Sequence, residues 1–241
     1  MSAAIITGAA NGIGAACAEV FAGAGWDLVL VDRDESSLQR EAERVAVVAG
    51  DVTDRAVNES AVSLAEERFG RLDAVVANAG VNLARSLDDT TDEDIDRLLA
   101  VNLRALVYLA QSAHRALART TGSLVVMASK TGLVAQRDSP IYCATKGAAI
   151  QLARALALDW ASEGIRVNAV CPGIVDTPML ESFFEQLPDP ERSRREFATA
   201  QPLGRLARPA ECAAAALFLA SEQASFITGV ALPVDGGFTA E

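Results

Sequence analysis

Tyr142 and Lys146 stand four residues apart in the run Tyr142-Cys143-Ala144-Thr145-Lys146. Residues so spaced share one face of a helix and can point into one pocket. A free phenol has a pKa of about 10 and is a poor base at neutral pH. A nearby ammonium favours the phenolate and is expected to lower that value. The pair can then exchange a proton with an alcohol while hydride leaves its carbon. Upstream, Ser129 offers a hydroxyl able to hold a carbonyl oxygen in place. A Tyr-x-x-x-Lys pair alone recurs on many helices by chance. Its weight here comes from what accompanies it.

A second group of residues is suited to binding. The run Thr7-Gly8-Ala9-Ala10-Asn11-Gly12-Ile13-Gly14 lies between a strand-like and a helix-like segment. Gly8 permits a tight turn, Gly12 a close approach of backbone to a pyrophosphate, and Gly14 close packing of helix on strand. The helix start then offers free N–H groups and the positive end of its dipole to phosphates. Asp32 closes the next apolar run, Asp27-Leu28-Val29-Leu30-Val31-Asp32, where a carboxylate can accept both hydroxyls of an adenosine ribose. That points to NAD(H) as cofactor. Arg33 is the competing signal, because a guanidinium can pair with the extra phosphate of NADP. Asp34 precedes the next helix and suits a cap. Asp51-Val52 follows the third strand and either lines an adenine pocket or ends the strand.

The elements that must position these groups alternate along the chain. Residues 3–7, 27–32, 45–49, 72–78, 123–128, 166–171 and 230–234 read as strands, several valine-rich and without polar alternation. Residues 12–24, 35–44, 54–69, 92–117, 142–162 and 209–220 read as helices. The expectation is an α/β fold: a doubly wound, Rossmann-type parallel sheet of about seven strands with helices on both faces. Such sheets take ligands beyond the carboxyl ends of their strands, where every group named above falls. One domain is expected over 1–241. Residues 176–202 break the rhythm with Pro178, Pro188 and Pro190, an exposed-looking Phe183-Phe184 pair and Arg192, Arg194 and Arg195. They read as a lid over the site.

Composition narrows the partners. Against 21 Lys and Arg stand 32 Asp and Glu, a net charge of −11, which disfavours nucleic acid and anionic membranes. No apolar run is long enough to span a bilayer, and no basic leader precedes the first strand. Cys17, Cys143, Cys171 and Cys212 lack zinc-site spacing, and His114 is the sole histidine. No metal, free thiols and a cytoplasmic location are expected, with a small molecule as substrate. His114, Cys143, Trp26 and Trp160 lie outside the chemistry. The acids at 88–89 and 92–94 fit a helix start capped by Thr90 or Thr91.

Taken together, the chain from Ala3 to Gly237 resembles the short-chain dehydrogenase/reductase family. The likeness rests on the 7–14 glycine run, Asn78-Ala79-Gly80, Asn102, Ser129, Tyr142-x-x-x-Lys146, Asn168, Pro172-Gly173 and Leu232-Pro233-Val234-Asp235-Gly236-Gly237. It implies that Tyr142 is the general acid/base and that Lys146 lowers its pKa and binds the nicotinamide ribose. Ser129 would polarise the substrate oxygen, and Asn102 would hold a water linking Lys146 to solvent. Gly8, Asn11, Gly12, Ile13, Gly14, Asp32, Arg33, Asp51 and Val52 would bind the dinucleotide. So would Asn78, Ala79 and Gly80 on the adenosine side, and Pro172, Gly173, Val175 and Thr177 at the carboxamide. It also implies a homotetramer.

The chain departs from the family's pattern at Lys130, where many relatives carry a small residue, and at Ala77. The expected function is hydride transfer between NAD(H) and a secondary alcohol or ketone: a polyol, hydroxy acid or similar small molecule. The alternatives are an NADPH-dependent 3-oxoacyl carrier-protein reductase and a non-catalytic dinucleotide-binding regulator. The substrate pocket is expected from residues 81–86, 131–139 and the lid. Gln136 and Arg137 are its candidate substrate contacts, and Arg137 binds an anionic substrate only if it points inward.

Overall fold

The computed structural model describes residues 1–38 and 42–240. Seven strands form one sheet in the order β3-β2-β1-β4-β5-β6-β7. They are β1 (Ala3–Thr7), β2 (Asp27–Asp32), β3 (Val45–Ala49), β4 (Ala74–Ala77), β5 (Ser123–Met127), β6 (Arg166–Pro172) and β7 (Ala231–Val234). Every neighbouring pair is parallel. The order reverses between β1 and β4, which opens a crevice at the strands' carboxyl ends.

Strands β1, β4 and β5 are buried along their whole length. That is why their sequences show no polar alternation: both faces are covered. On one face pack α2 (Arg55–Phe69), α4 (Ala105–Thr120) and α5 (Pro140–Asp159). On the other lie α1 (Gly12–Gly23) and α8 (Pro209–Ala220), packed on each other. Alanine is common at these contacts, including Ala16, Ala213 and Ala216. Small side chains let helix backbones approach closely.

Three expectations change. Of the helix anticipated over 35–44, the structure shows one 3₁₀ turn, Glu35–Ser37, and residues 39–41 lie outside the described residues. Asp34 stands at the N-cap of that turn, where its carboxylate accepts from the Ser36 and Ser37 hydroxyls. The helix anticipated over 92–117 is α3 (Asp92–Leu99) followed by a π turn, Ala100–Arg104, and then α4. Thr91 and Asp94 form a reciprocal capping box at its start.

The third change concerns 176–202. It folds as α6 (Pro178–Phe184) and α7 (Pro190–Thr199). Phe183 and Phe184 are buried, not exposed, because both rings pack on Phe197 at 5.7 and 5.4 Å between centres. Arg194 pairs with Glu181 across the two helices, and Arg192 pairs with Glu196 on α7.

Candidate active site

Two clefts, of about 800 and 910 Å³, adjoin over the carboxyl ends of the strands. Both are lined by Ile13, Asn78, Gly80, Val81, Thr177 and Met179, so they form one continuous trough. One end holds Gly8, Asn11, Gly12, Asp32, Arg33, Asp51, Val52 and Ala79. The other holds Ser129, Lys130, Gln136, Tyr142, Lys146, Pro172, Gly173 and Val175.

At the first end, β1 turns sharply at Gly8, whose φ is +65°. A Cβ there would lie 2.9 Å from the Ala79 Cα and from the Asn78 amide nitrogen. At Gly14 a Cβ would overlap the Gly8 carbonyl oxygen and come within 2.6 Å of the same Asn78 nitrogen. Helix α1 can start against this turn only without a side chain at that position. Asn78 ties the corner together by donating to the Thr7 and Gly8 carbonyls at 2.9 and 3.1 Å.

No side chain caps α1, and its first turn carries no acid. Its leading N–H groups are therefore left for another acceptor, as an anion site requires. The Asp32 carboxylate accepts from Ala10 N–H at 3.0 Å and Asp34 N–H at 3.1 Å, fixing it beside the cleft. Asp51 accepts from Thr53 N–H, which holds its carboxyl below the usual range, with a further pull from Arg33.

At the second end, Ser129 leaves β5 in extended backbone and accepts from Thr131 N–H and hydroxyl at 3.1 and 2.9 Å. Pro140 starts α5 and places Tyr142, Thr145 and Lys146 on its buried side. The Lys146 ammonium donates to the Met127 carbonyl at 3.0 Å and lies 5.8 Å from the Tyr142 ring centre.

The electrostatics differ from the expectation of a phenol lowered by its lysine. Burial pushes the Tyr142 phenol up to about 12, with the Ser129 hydroxyl acting in the opposite sense. Burial pushes Lys146 down to about 8. Both groups lose water, and the ammonium is turned to a carbonyl, so desolvation outweighs their mutual effect. In this state the site keeps a proton on Tyr142 beside the Ser129 hydroxyl, which suits donation to an oxyanion or carbonyl oxygen.

Asn102 sits in the π turn and is buried, not on a solvated face. Its side chain clasps both backbone groups of Val81, each at 2.9 Å, and donates to the Thr145 hydroxyl at 3.2 Å. A Cβ on Gly80 would meet Asn102 Oδ1 and Lys146 Nζ alike at 3.4 Å, so these two groups flank one glycine. The π turn carries this side chain inward, a common use of such turns.

Gly173 N–H donates to Val234, and Thr177 caps α6 while lining both clefts. Gln136 lines the cleft, whereas Arg137 is exposed and does not. The lid expected over 176–202 does line the cleft, through Phe183 and through Met179, Leu180 and Phe197, which the sequence reading did not name individually. The apolar spacing of 179, 180 and 183 was their only signal. Sequence reasoning missed Gln201, a buried side chain that clasps Ile174 N–H at 2.8 Å and the Ile174 carbonyl at 3.2 Å. His114 lies elsewhere, stacked on Trp160 and bonded to Glu163 at 2.9 Å.

Among the described residues no cluster of three or more His, Cys, Asp or Glu could hold a metal, and no helix is long and apolar enough to cross a membrane. The four cysteines are free.

Known proteins resemble this chain over nearly its whole length. A family model described as "Enoyl-(Acyl carrier protein) reductase" matches residues 8–239. L-fucose dehydrogenase of Oryctolagus cuniculus is 42% identical over 237 residues, covering 97% of this chain and 83% of the relative. Meso-2,3-butanediol dehydrogenase of Serratia marcescens is 39% identical over 241 residues, covering 98% and 94%. Among solved structures, the 3-ketoacyl-(acyl-carrier-protein) reductase from Brucella melitensis complexed with NADH superposes with a TM-score of 0.92 at 34% identity, covering 99% of this chain and 98% of that one.

Proposed function

Since this chain belongs to the short-chain dehydrogenase/reductase family, and so is an oxidoreductase that exchanges hydride with a secondary alcohol or ketone, we propose that it prefers NAD(H) and that Tyr142, Lys146, Ser129 and Asn102 carry the reaction. The observation behind this is the continuous trough, with a carboxylate at one end and a buried phenol at the other.

The residues fit a dinucleotide. The Gly8–Gly14 corner is too tight for a Cβ at either glycine, which leaves its backbone bare, and the start of α1 offers uncapped N–H groups. Asp32, held by Ala10 and Asp34, directs its remaining lone pairs to ribose hydroxyls. Asn11, Gly12, Ile13, Arg33, Asp51, Val52 and Asn78–Gly80 surround the adenosine and phosphates. Pro172, Gly173, Val175 and Thr177 surround the carboxamide. When bound, the nicotinamide supplies or accepts the hydride.

The chain's own residues handle the proton. Ser129 donates to the substrate oxygen and orients it. Tyr142 gives its proton to that oxygen in reduction and takes it back in oxidation. Lys146, four residues on from Tyr142 and beside it on α5, would hold the nicotinamide ribose and set its positive charge near the phenol. Asn102 holds a water between Lys146 and the outside. Residues 176–202 act as a lid whose Leu180, Phe183 and Phe197 exclude water from the reacting atoms.

We also read the chain as one domain that assembles into a cytoplasmic homotetramer. Ala144 and Ala155 on α5, Leu158 beside them, and Phe226 before β7 are left uncovered by the chain itself. Light scattering at micromolar concentration checks this, and a monomer would refute it. Absorbance at 340 nm with NAD and a panel of secondary alcohols tests the main reading. Turnover confined to acyl thioesters with NADPH would favour the carrier-protein reductase instead.

A further inference from the structure

Lys130 directly follows Ser129, and only 4% of it is exposed. Its ammonium donates to Gln136 Oε1 at 3.2 Å and sits 3.7 Å from the centre of the Phe238 ring. A buried cation is ordinarily kept by an ion pair, since losing water is costly for it. Among the described residues Lys130 has none. Asp235 and Cys143 act on it only through space. The Asp235 oxygens instead accept from the N–H groups of Gly237 and Thr239 and from the Thr239 hydroxyl. The Phe238 ring steadies the charge without neutralising it.

Lys130 and Gln136 both line the cleft that holds Ser129 and Tyr142. Among the described residues no Asp, Glu or Arg lines it, in a chain whose net charge is −11. An ammonium only donates, so Gln136 must turn its carbonyl oxygen towards it. The Gln136 amide nitrogen is left with no protein partner among the described residues. The pair therefore offers the cleft mainly donors, the ammonium and the Gln136 amide N–H groups, with one Gln136 carbonyl lone pair already taken by Lys130. A hydroxyl both gives and takes hydrogen bonds, whereas a carboxylate only takes them.

We propose that Lys130 and Gln136 form a carboxylate subsite, so that the favoured substrates are hydroxy acids and oxo acids rather than neutral alcohols or sugars. The anion completes the charge that the fold leaves open and holds the substrate beside the Ser129 hydroxyl. This deepens the reading of the cleft as the place of hydride exchange, and rests on it. It also moves anion recognition from the exposed Arg137 to the buried cation next to Ser129.

The test compares acids with their neutral amides. The probes are 2-oxobutanoate, acetoacetate and levulinate, each beside its primary amide, with NADH, in the wild type, Lys130→Met and Gln136→Glu. Methionine keeps an unbranched chain against Phe238, and glutamate supplies Lys130 with an internal anion. In the wild type at least one acid should exceed its amide in kcat/KM on the order of 10–100-fold, the span of a hydrogen bond to a charged group. That ratio should collapse towards one in both variants, chiefly through KM. Every acid at or below its amide in the wild type, or a ratio that survives both variants, overturns the subsite. Calorimetric titration of the same acids and amides into the enzyme with NADH separates the two readings. If no ketone is reduced, a Lys130-dependent preference for the acid in binding upholds the subsite and sinks the reaction assignment. Equal binding of acid and amide sinks the subsite.

Discussion

The Asp32 carboxylate accepts the Ala10 N–H at 3.0 Å, joining the end of β2 to the glycine turn after β1. The acid is thereby held against the site of the proposed ribose. A 2′-phosphate there meets a like charge. At about 4 Å the repulsion is ~1 kcal/mol in water and ~4 at an effective dielectric of ~20. A lost hydrogen bond to a charged acceptor adds ~1.5–3 kcal/mol. NAD should be preferred to NADP on the order of 10–1000-fold in kcat/KM. Asp32→Ser should narrow that gap, with Arg33 then free to serve the phosphate. Equal kcat/KM for both cofactors in the wild type would remove Asp32 from this role.

Tyr142→Phe removes the proton and leaves the ring. Turnover should fall ~10²–10⁴-fold, the usual range for a lost general acid. Dinucleotide binding, followed by quenching of protein fluorescence, should change far less. A variant that keeps near-native kcat would show that another group moves the proton.

Burial lowers Lys146 from 10.5 to about 8. The unfolded chain then holds more protons than the folded one between those two values, so Lys146 adds stability as pH rises through that window and withdraws it as pH falls towards 8. The Tyr142 phenol, raised from 10 to about 12, works in the opposite direction: its contribution is complete below pH 10 and is lost as pH climbs towards 12. Melting curves of the nucleotide-free protein should therefore show a rise in Tm above pH 8 that is smaller in Lys146→Met. Parallel profiles for the two proteins would contradict the assigned shift.

Gly14→Ala and Gly23→Ala form a matched pair on α1. A Cβ at Gly14 overlaps the Gly8 carbonyl oxygen, whereas at Gly23 nothing lies within 4 Å. The first change should cost ~1–3 kcal/mol, as overpacking does, with a loss of several degrees in Tm. The second should be neutral or slightly stabilising. Similar Tm values for both would mean that the corner around Gly8 yields readily to an added methyl group.

The alternation of valine-rich runs with helical ones determined the doubly wound sheet by itself, because strands buried on both faces can form only between two helical layers. Asp32 at the end of β2 and the 7–14 glycine run were equally legible, since strand ends in such a sheet have one place to go. Tertiary structure decided what depends on distant partners. Phe183 and Phe184 are buried because Phe197 folds back onto them. The helix over 92–120 carries a π turn that brings Asn102 to Val81 and Thr145. Arg137 points outward, while Lys130 is buried between Gln136 and Phe238. The charges of Tyr142 and Lys146 follow from the water they lose, which no spacing of residues states. In a loop without regular periodicity, a side chain's direction is set by whatever packs on it, and here the packing came from far along the chain.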